Sequence, residues 1–435
     1  MRLLVAGTGS GCGKTTSSIL LMACLKRRGI DVAPYKAGPD YIDPGFHRRV
    51  CGRASYNLDT WLMSAEEIKR VLRTDADIAL IEGVMGYYDG LDTREMRCST
   101  WELARITRTP VLLVADASGG AASVAATVRG FQTLKPDSGI AGVIVNRVSG
   151  ERHYSLIRQA IKDYTGLDCA GYLTKQAALE LPSRHLGLVT ARETPDLLKR
   201  IDAAAAEAEN TLDLDAVLAL AGQAPDIPAE EAACAGAEKD YSGYRMGVAL
   251  DEAFHFYYDA NLEALKRLGM ELVFFSPLRD ARLPDGLDGL YIGGGYPEVY
   301  AETLESGASM RASIKTALEH GLRCYAECGG LMYLGESIDG REMCGVLPIK
   351  SRMTQRLQRF GYVTVNDRTG LSFPAHEFHH AQVEEAGDAA CAYRVVKASS
   401  PDRAWECGYE KYNTLAAFAH VYFAHRPDII ARLWP

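Results

Sequence analysis

Leu3-Leu4-Val5-Ala6-Gly7-Thr8-Gly9-Ser10-Gly11-Cys12-Gly13-Lys14-Thr15-Thr16, at the start of a 435-residue chain, decides how its first half folds. An apolar strand runs into a glycine-rich turn, and Ser17 to Arg28 beyond it carry a helical pattern. A loop of this kind wraps phosphate groups with backbone N–H donors, its lysine neutralises the outer phosphates, and a hydroxyl holds a magnesium ion. Gly9, Gly11, Cys12, Gly13, Lys14, Thr15 and Thr16 are the expected nucleotide contacts. Thr8 stands where the strict pattern has glycine, yet Gly7, Gly9 and Gly11 leave the turn its freedom. A glycine-rich surface turn with an exposed lysine would need neither the strand before it nor the helix after it.

Working outward, further apolar strands at Val32 to Lys36, Ile78 to Glu82, Val111 to Asp116 and Ile140 to Asn146 alternate with helical stretches such as Ala121 to Thr133. That alternation predicts an α/β fold, a mostly parallel, doubly wound sheet whose ligands bind at the carboxyl ends of the strands. Glu82 closes one of those strands and is followed by Gly83, which makes it the leading carboxylate for magnesium. Asp59, in Tyr56-Asn57-Leu58-Asp59-Thr60-Trp61, is a weaker candidate, since a loop aspartate is commonly a cap or turn residue. Lys36, Asp40 and Asp43 lie in the loop leaving the second strand, as turn residues or as ligand contacts.

The second half turns on Leu322-Arg323-Cys324-Tyr325-Ala326-Glu327-Cys328-Gly329-Gly330. It reads as a strand, a cramped turn and a helix, the elbow that presents a nucleophile. Such an elbow needs small residues two before and two after the nucleophile, and Ala326 and Gly330 supply them. The helix that follows is expected to aim its N–H groups at the sulfur and favour the thiolate. Most of the eleven cysteines, by contrast, fit small core residues. Around the elbow a second alternating series runs through Met246 to Leu250, Leu272 to Phe275 and Gly289 to Ile292, and the chain from Gly345 onward is richer in β structure. The expected organisation is a nucleotide domain at 1–200, a helix and linker at 201–244, and a second α/β domain at 245–435.

Composition bounds the rest. The chain is 47% hydrophobic and 24% charged, which excludes disordered and fibrous classes. A net charge of −8 leaves no electrostatic footprint for nucleic acid or an anionic membrane, and small molecules are the expected partners. Whether the chain forms a homodimer stays open. Eleven cysteines without regular spacing suit reduced thiols, Cys324 and Cys328 lack the second pair of a zinc site, and the chain opens directly in a strand. A cytoplasmic enzyme is expected, with no membrane span.

Taken together the strings resemble the cobyrinic acid a,c-diamide synthase family, the ATP- and glutamine-dependent amidases of corrinoid biosynthesis. The resemblance spans nearly the whole chain. It is carried by the phosphate loop, Lys36 to Pro44, Asn57 to Trp61, Glu82 to Gly86 with Asp89-Gly90, Phe274 to Leu278, Gly293 to Glu298, the Cys328 elbow and His376-Glu377-Phe378-His379, in that order. The first half is also similar to dethiobiotin synthetase and to the synthetase half of CTP synthase. That similarity implies magnesium held by Thr15, Asp59 and Glu82, ATP as cosubstrate, and Asn146 against the adenine. Asp40, Asp43 and Asp89 would shape the magnesium field or meet the substrate.

The second half resembles class I glutamine amidotransferases, which implies Cys328 as nucleophile, His420 as its base, and N–H groups of Gly294 and Gly295 in the oxyanion hole. Those enzymes place a glutamate two residues after the histidine. Tyr422 stands there, so a Cys-His dyad is implied, oriented by some other group such as a backbone carbonyl. His420 and Tyr422 are expected on one face of a last strand, His425 on the other or beyond its end, and His376, His379 and His380 in a loop near the substrate. The implied reaction is ATP-dependent activation of two carboxylates in turn, followed by amidation with ammonia from glutamine. Related activities remain alternatives: a nickel-sirohydrochlorin diamide synthase, a cobyric acid synthase, or, in another class, a partitioning-type ATPase switch with a non-catalytic second domain.

Overall fold

The computed structural model describes residues 1–174, 183–184, 187–188, 196–228, 239–387 and 389–435, and the chain divides into two compact units, Met1–Glu230 and Glu231–Pro435. In the first unit the elements are β1 (Arg2–Gly7), α1 (Lys14–Arg27), β2 (Val32–Ala37), α2 (Asp43–Cys51), β3 (Tyr56–Leu58), α3 (Ala65–Val71), β4 (Ile78–Glu82), α4 (Thr100–Thr107), β5 (Val111–Asp116), α5 (Ser123–Leu134), β6 (Ile140–Val148), α6 (Glu151–Thr165) and β7 (Cys169–Thr174). A short antiparallel pair, β8 (Ser183–Arg184) and β9 (Gly187–Leu188), and helices α7 (Leu197–Ala208) and α8 (Leu214–Ala221) complete it.

Seven strands pair in the order β3-β2-β4-β1-β5-β6-β7, all parallel. The central strands are buried on both faces, which is why β1 and β4 read as unbroken apolar runs instead of alternating. β1 sits between β4 and β5, where the direction of strand addition reverses, so the crevice at its carboxyl end is the natural ligand position. The phosphate loop occupies that crevice. The stretch read as helix and linker at 201–244 is divided: α7 and α8 lie in the first unit. Arg27 of α1 pairs with Asp202 at 2.7 Å and Glu209 at 3.0 Å, and Arg28 pairs with Asp215 at 2.7 Å.

The second unit contains β10 (Arg245–Ala249), β11 (Phe254–Phe256), α9 (Asp259–Arg267), β12 (Glu271–Phe275), β13 (Gly289–Ile292), β14 (Gly294–Gly295), α10 (Ala301–Ser306), α11 (Ala308–Glu319), β15 (Arg323–Glu327) and α12 (Gly329–Leu334). There follow β16 (Ser337–Ile338), β17 (Arg341–Glu342), β18 (Lys350–Met353), β19 (Arg359–Asp367), β20 (Ser372–His379), β21 (Ala381–Glu385), β22 (Ala390–Lys397), β23 (Ala404–Lys411), β24 (Thr414–Ala417), β25 (His420–Val421) and α13 (Pro427–Leu433).

Its main sheet has the order β12-β10-β13-β15-β24-β23-β22-β19-β20-β25. The pairs from β12 to β24 are parallel and the rest antiparallel. Only Phe418 and Ala419 separate β24 from β25, yet β24 lies in the middle of the sheet and β25 at its end beside β20. This break corrects the expectation of one continuous last strand. β24 pairs with β15 and β23, whereas β25 pairs with β20, and period-two alternation does not run through Phe418. His376 and His379 lie on β20, not in a substrate loop as expected, and His380 follows directly.

Candidate active sites

In the first unit, Gly11 and Gly13 hold φ of 77° and 93°, a region closed to most side chains, and Gly13 caps α1. A Cβ on Gly13 would sit 1.9 Å from the Asn146 amide nitrogen. Asn146, expected against an adenine, holds the loop itself: its amide donates to the Cys12 carbonyl at 2.9 Å, and the neighbouring Arg147 donates to the Gly11 carbonyl at 2.7 Å. The Glu82–Gly86 turn passes close by, for a Cβ on Gly86 would meet the Gly9 Cα at 3.3 Å. Asp89 is exposed and accepts the Gly86 N–H at 2.9 Å, as a turn residue does.

The acidic side of this crevice is built around one lysine. Lys36 Nζ donates to Asp43 at 2.5 Å and to Glu82 at 2.8 Å, and lies 3.9 Å from Asp40. Thr15 Oγ1 donates to Glu82 at 2.6 Å and reaches Asp43 at 3.4 Å. Asp40 also accepts the Ile42 and Asp43 N–H groups at 2.7 and 3.1 Å. Asp59, expected with Thr15 and Glu82, accepts the N–H groups of Trp61 and Leu62 at 2.8 and 3.0 Å, and the carboxylate that reaches Thr15 beside Glu82 is that of Asp43.

Burial disfavours the charged forms of Lys36, Glu82 and Asp43 alike, and for Lys36 and Glu82 the neighbouring charges outweigh it. Asp43, Glu82 and Asp40 keep Lys36 protonated, and Lys36 and His47 hold Glu82 well below the carboxylate range. Burial and the facing Asp40 and Glu82 push Asp43 well up. His47 was not legible beforehand. Wholly buried on α2, it meets Glu82 Oε2 at 2.8 Å and Ser55 at 3.0 Å, fixing the carboxylate that Thr15 also touches.

In the second unit, Cys328 sits at the expected elbow with φ 48° and ψ −100°, a strained conformation of the kind that costs about 1–3 kcal/mol. A Cβ on Gly330 would lie 2.3 Å from the Ile292 carbonyl oxygen, which is why the position admits only glycine. The helix expectation is corrected. α12 is six residues long, and the Cys328 side chain takes no cap hydrogen bond from it. The sulfur's partner is His420, whose imidazole is brought in by β25. Burial alone would lower the His420 pKa, but hydrogen bonding and charge from Cys328 and Glu327 raise it to about 10.

Gly294 lies against the same ring, since a Cβ there would be 2.6 Å from His420 Cε1, and the Gly295 nitrogen is 3.1 Å from where a Gly329 Cβ would stand. Both expected oxyanion glycines therefore line the elbow. Three residues joined to it went unrecognised in the sequence. Glu327 Oε2 is 3.4 Å from His420 Nδ1. His376 stacks on His420 with ring centroids 5.0 Å apart, and Tyr258 Oη meets His376 Nδ1 at 3.1 Å. Burial and the neighbouring His420 charge hold His376 well below the usual histidine range, so it stays neutral beside the imidazolium. Tyr422 packs its ring 5.2 Å from Tyr258, and His425 is 6.0 Å from Tyr422. A signal for Glu327 did exist: an acid ending the buried Cys324-Tyr325-Ala326 run directly before the nucleophile.

Residues 3–189 match the family model of the CobQ/CobB/MinD/ParA nucleotide binding domain, and residues 245–428 match that of the CobB/CobQ-like glutamine amidotransferase domain. A nucleotide-binding domain and a glutamine amidotransferase domain on one chain define an amide-forming ligase. Cobyrinate a,c-diamide synthase from Listeria innocua is 42% identical over 448 residues, covering 100% of this chain and 98% of the relative. Its namesake from Caldanaerobacter subterraneus subsp. tengcongensis is 42% identical, covering 96% and 94%, and that from Salmonella typhimurium 40%, covering 98% and 96%. The chain belongs to the cobyrinate a,c-diamide synthase family. Among the described residues no helix is long and apolar enough to cross a membrane.

Proposed function

We propose that this protein converts cobyrinate to its a,c-diamide in the cytoplasm, using ATP, magnesium and glutamine. ATP chemistry belongs to residues 1–200 and glutamine hydrolysis to 245–435. The observation that carries the reading is end-to-end identity of about 40% to diamide synthases, together with a Cys328–His420 pair and a phosphate loop in separate units.

A carboxylate resists attack by ammonia, so it is first phosphorylated by ATP, and ammonia then displaces phosphate from the acyl phosphate. Protein work in such a transfer is placement and charge neutralisation, here by Lys14 and the Gly9–Gly13 N–H groups. Thr15, Glu82 and Asp43 form a hard oxygen donor set of the kind magnesium takes, and the bound ion would add its charge to the phosphates. Lys36 neutralises the same carboxylates when the ion is away.

At the elbow the Cys328 thiolate attacks the glutamine carboxamide carbon, and the developing oxyanion faces Gly294 and Gly295. The His420 imidazolium gives its proton to the departing ammonia, and then activates the water that hydrolyses the thioester. Incubating the protein with cobyrinate, ATP, magnesium and glutamine tests the reading. Two amide mass increments, each coupled to one ATP, are expected; none, or four, would overturn it.

A further inference from the structure

Most glutaminases of this type draw the carboxylate that steadies their histidine from two residues further along the chain, where this protein has Tyr422, a phenol that packs on Tyr258. We propose that Glu327, the residue immediately before the nucleophile, is the positioning carboxylate of His420. The inference rests on the assignment of Cys328 and His420 as the glutaminase pair.

The geometry is specific. Glu327 is 1% exposed and its two oxygens serve adjacent residues: Oε1 accepts the Val421 N–H at 3.2 Å and Oε2 lies 3.4 Å from His420 Nδ1. At 3.4 Å the contact is an ion pair longer than a good hydrogen bond, as resting catalytic contacts often are before substrate tightens them. Because Nδ1 turns to the carboxylate, Nε2 is the nitrogen left for the Cys328 sulfur. Asn261 braces the same strand, donating to the Val421 carbonyl at 2.8 Å and accepting the Phe423 N–H at 2.9 Å. The nucleophile and the acid thus share one strand end, β15, while the histidine arrives on β25. Placement of the acid follows from the elbow itself and needs no residue beyond the histidine.

The other groups facing the ring are Cys328, neutral His376 stacked upon it, and Tyr258 behind His376. Tyr257, Tyr291 and Tyr325 are buried nearby, and burial first of all keeps their hydroxyls protonated.

Glu327→Gln keeps an acceptor for Val421 and the side-chain shape but removes the charge. The expected result is a loss of roughly a hundredfold or more in kcat for glutamate release with KM little changed, by analogy with other catalytic carboxylates. Its alkaline limb should also move to lower pH, because the imidazolium has lost its partner. Full activity in a folded Glu327→Gln protein, or a loss equal at every pH with the limb unmoved, overturns the proposal. Cys328→Ala, run alongside, separates the two levels: it should abolish glutamate release, and persistence of release would overturn the glutaminase reading itself. Should Glu327→Gln not fold, proton NMR of the wild-type protein decides. A strongly deshielded Nδ1–H signal from His420 supports the pair, and an ordinary imidazole position contradicts it.

Discussion

Gly294→Ala tests the elbow with one methyl group. Gly294 is not among the positive-φ residues, so alanine meets no backbone penalty there and the oxyanion N–H is retained. Its Cβ, however, would stand 2.6 Å from His420 Cε1 and 3.4 Å from the Phe256 Cβ. Ordinary carbon contacts are about 3.5–4.0 Å, so the imidazole must retreat by about 1 Å. The ring has little room to do so: His376 is stacked against it and Glu327 holds Nδ1. Misplacing a catalytic group by about 1 Å costs on the order of a hundredfold in rate, and overpacking a buried site costs about 1–3 kcal/mol of stability. Stopped glutamate-release assays on the purified variant should therefore show kcat about a hundredfold down, with the glutamine KM changed far less. A Gly294→Ala protein that releases glutamate at the wild-type rate would show that His420 does not stand where the chemistry occurs.

The nucleotide site gives a paired expectation: Asp43→Asn should raise the magnesium concentration needed for half-maximal amidation at least tenfold, whereas Asp59→Asn should leave it nearly unchanged, as measured by magnesium titration of ATP hydrolysis. The reverse order would return Asp59 to the metal. The alkaline limit of glutamate release should fall near pH 10, well above the ordinary 6.5 of histidine, because Cys328 and Glu327 outweigh burial at His420. The same raised pKa contributes folding stability that is complete below pH ~6.5 and lost as pH rises through about 10, so chemical denaturation should show a decline over that window that His420→Gln lacks.

Much of the fold was written in local pattern. Buried parallel strands such as Val111–Asp116 and Gly289–Ile292 are short apolar runs that periodicity finds directly, and the Cys328 elbow carries its own small-residue signature. What escaped detection depends on partners distant in sequence. β3 has only three residues, and Asn57 on it secures the Gly38 and Asp40 carbonyls at 2.8 and 2.7 Å, contacts no alternation rule describes. The break that ends β24 and starts β25 is likewise a matter of which neighbour pairs, not of composition.

The site divides the same way. Gly9 to Thr16, Glu82 and Cys328 were legible because loop and elbow are contiguous, while His47, Asp43 beside Thr15, and His376 on His420 come together only when helix α2 and strand β20 are placed. Asp59 shows why this part of the site is hard to read, because a turn aspartate and a metal ligand look alike in sequence. Its Oδ1 accepts the Trp61 and Leu62 N–H groups, as a turn aspartate's does.

The central claim is that glutamine is opened at Cys328 and its nitrogen used at a different site, and one measurement addresses it directly. Folded Cys328→Ala protein is incubated with cobyrinate, ATP and magnesium, once with glutamine and once with a high concentration of ammonium, and the products are read by mass. The account predicts no amide with glutamine and the full diamide with ammonium. Diamide formed with glutamine, or no product from either nitrogen source, would contradict it.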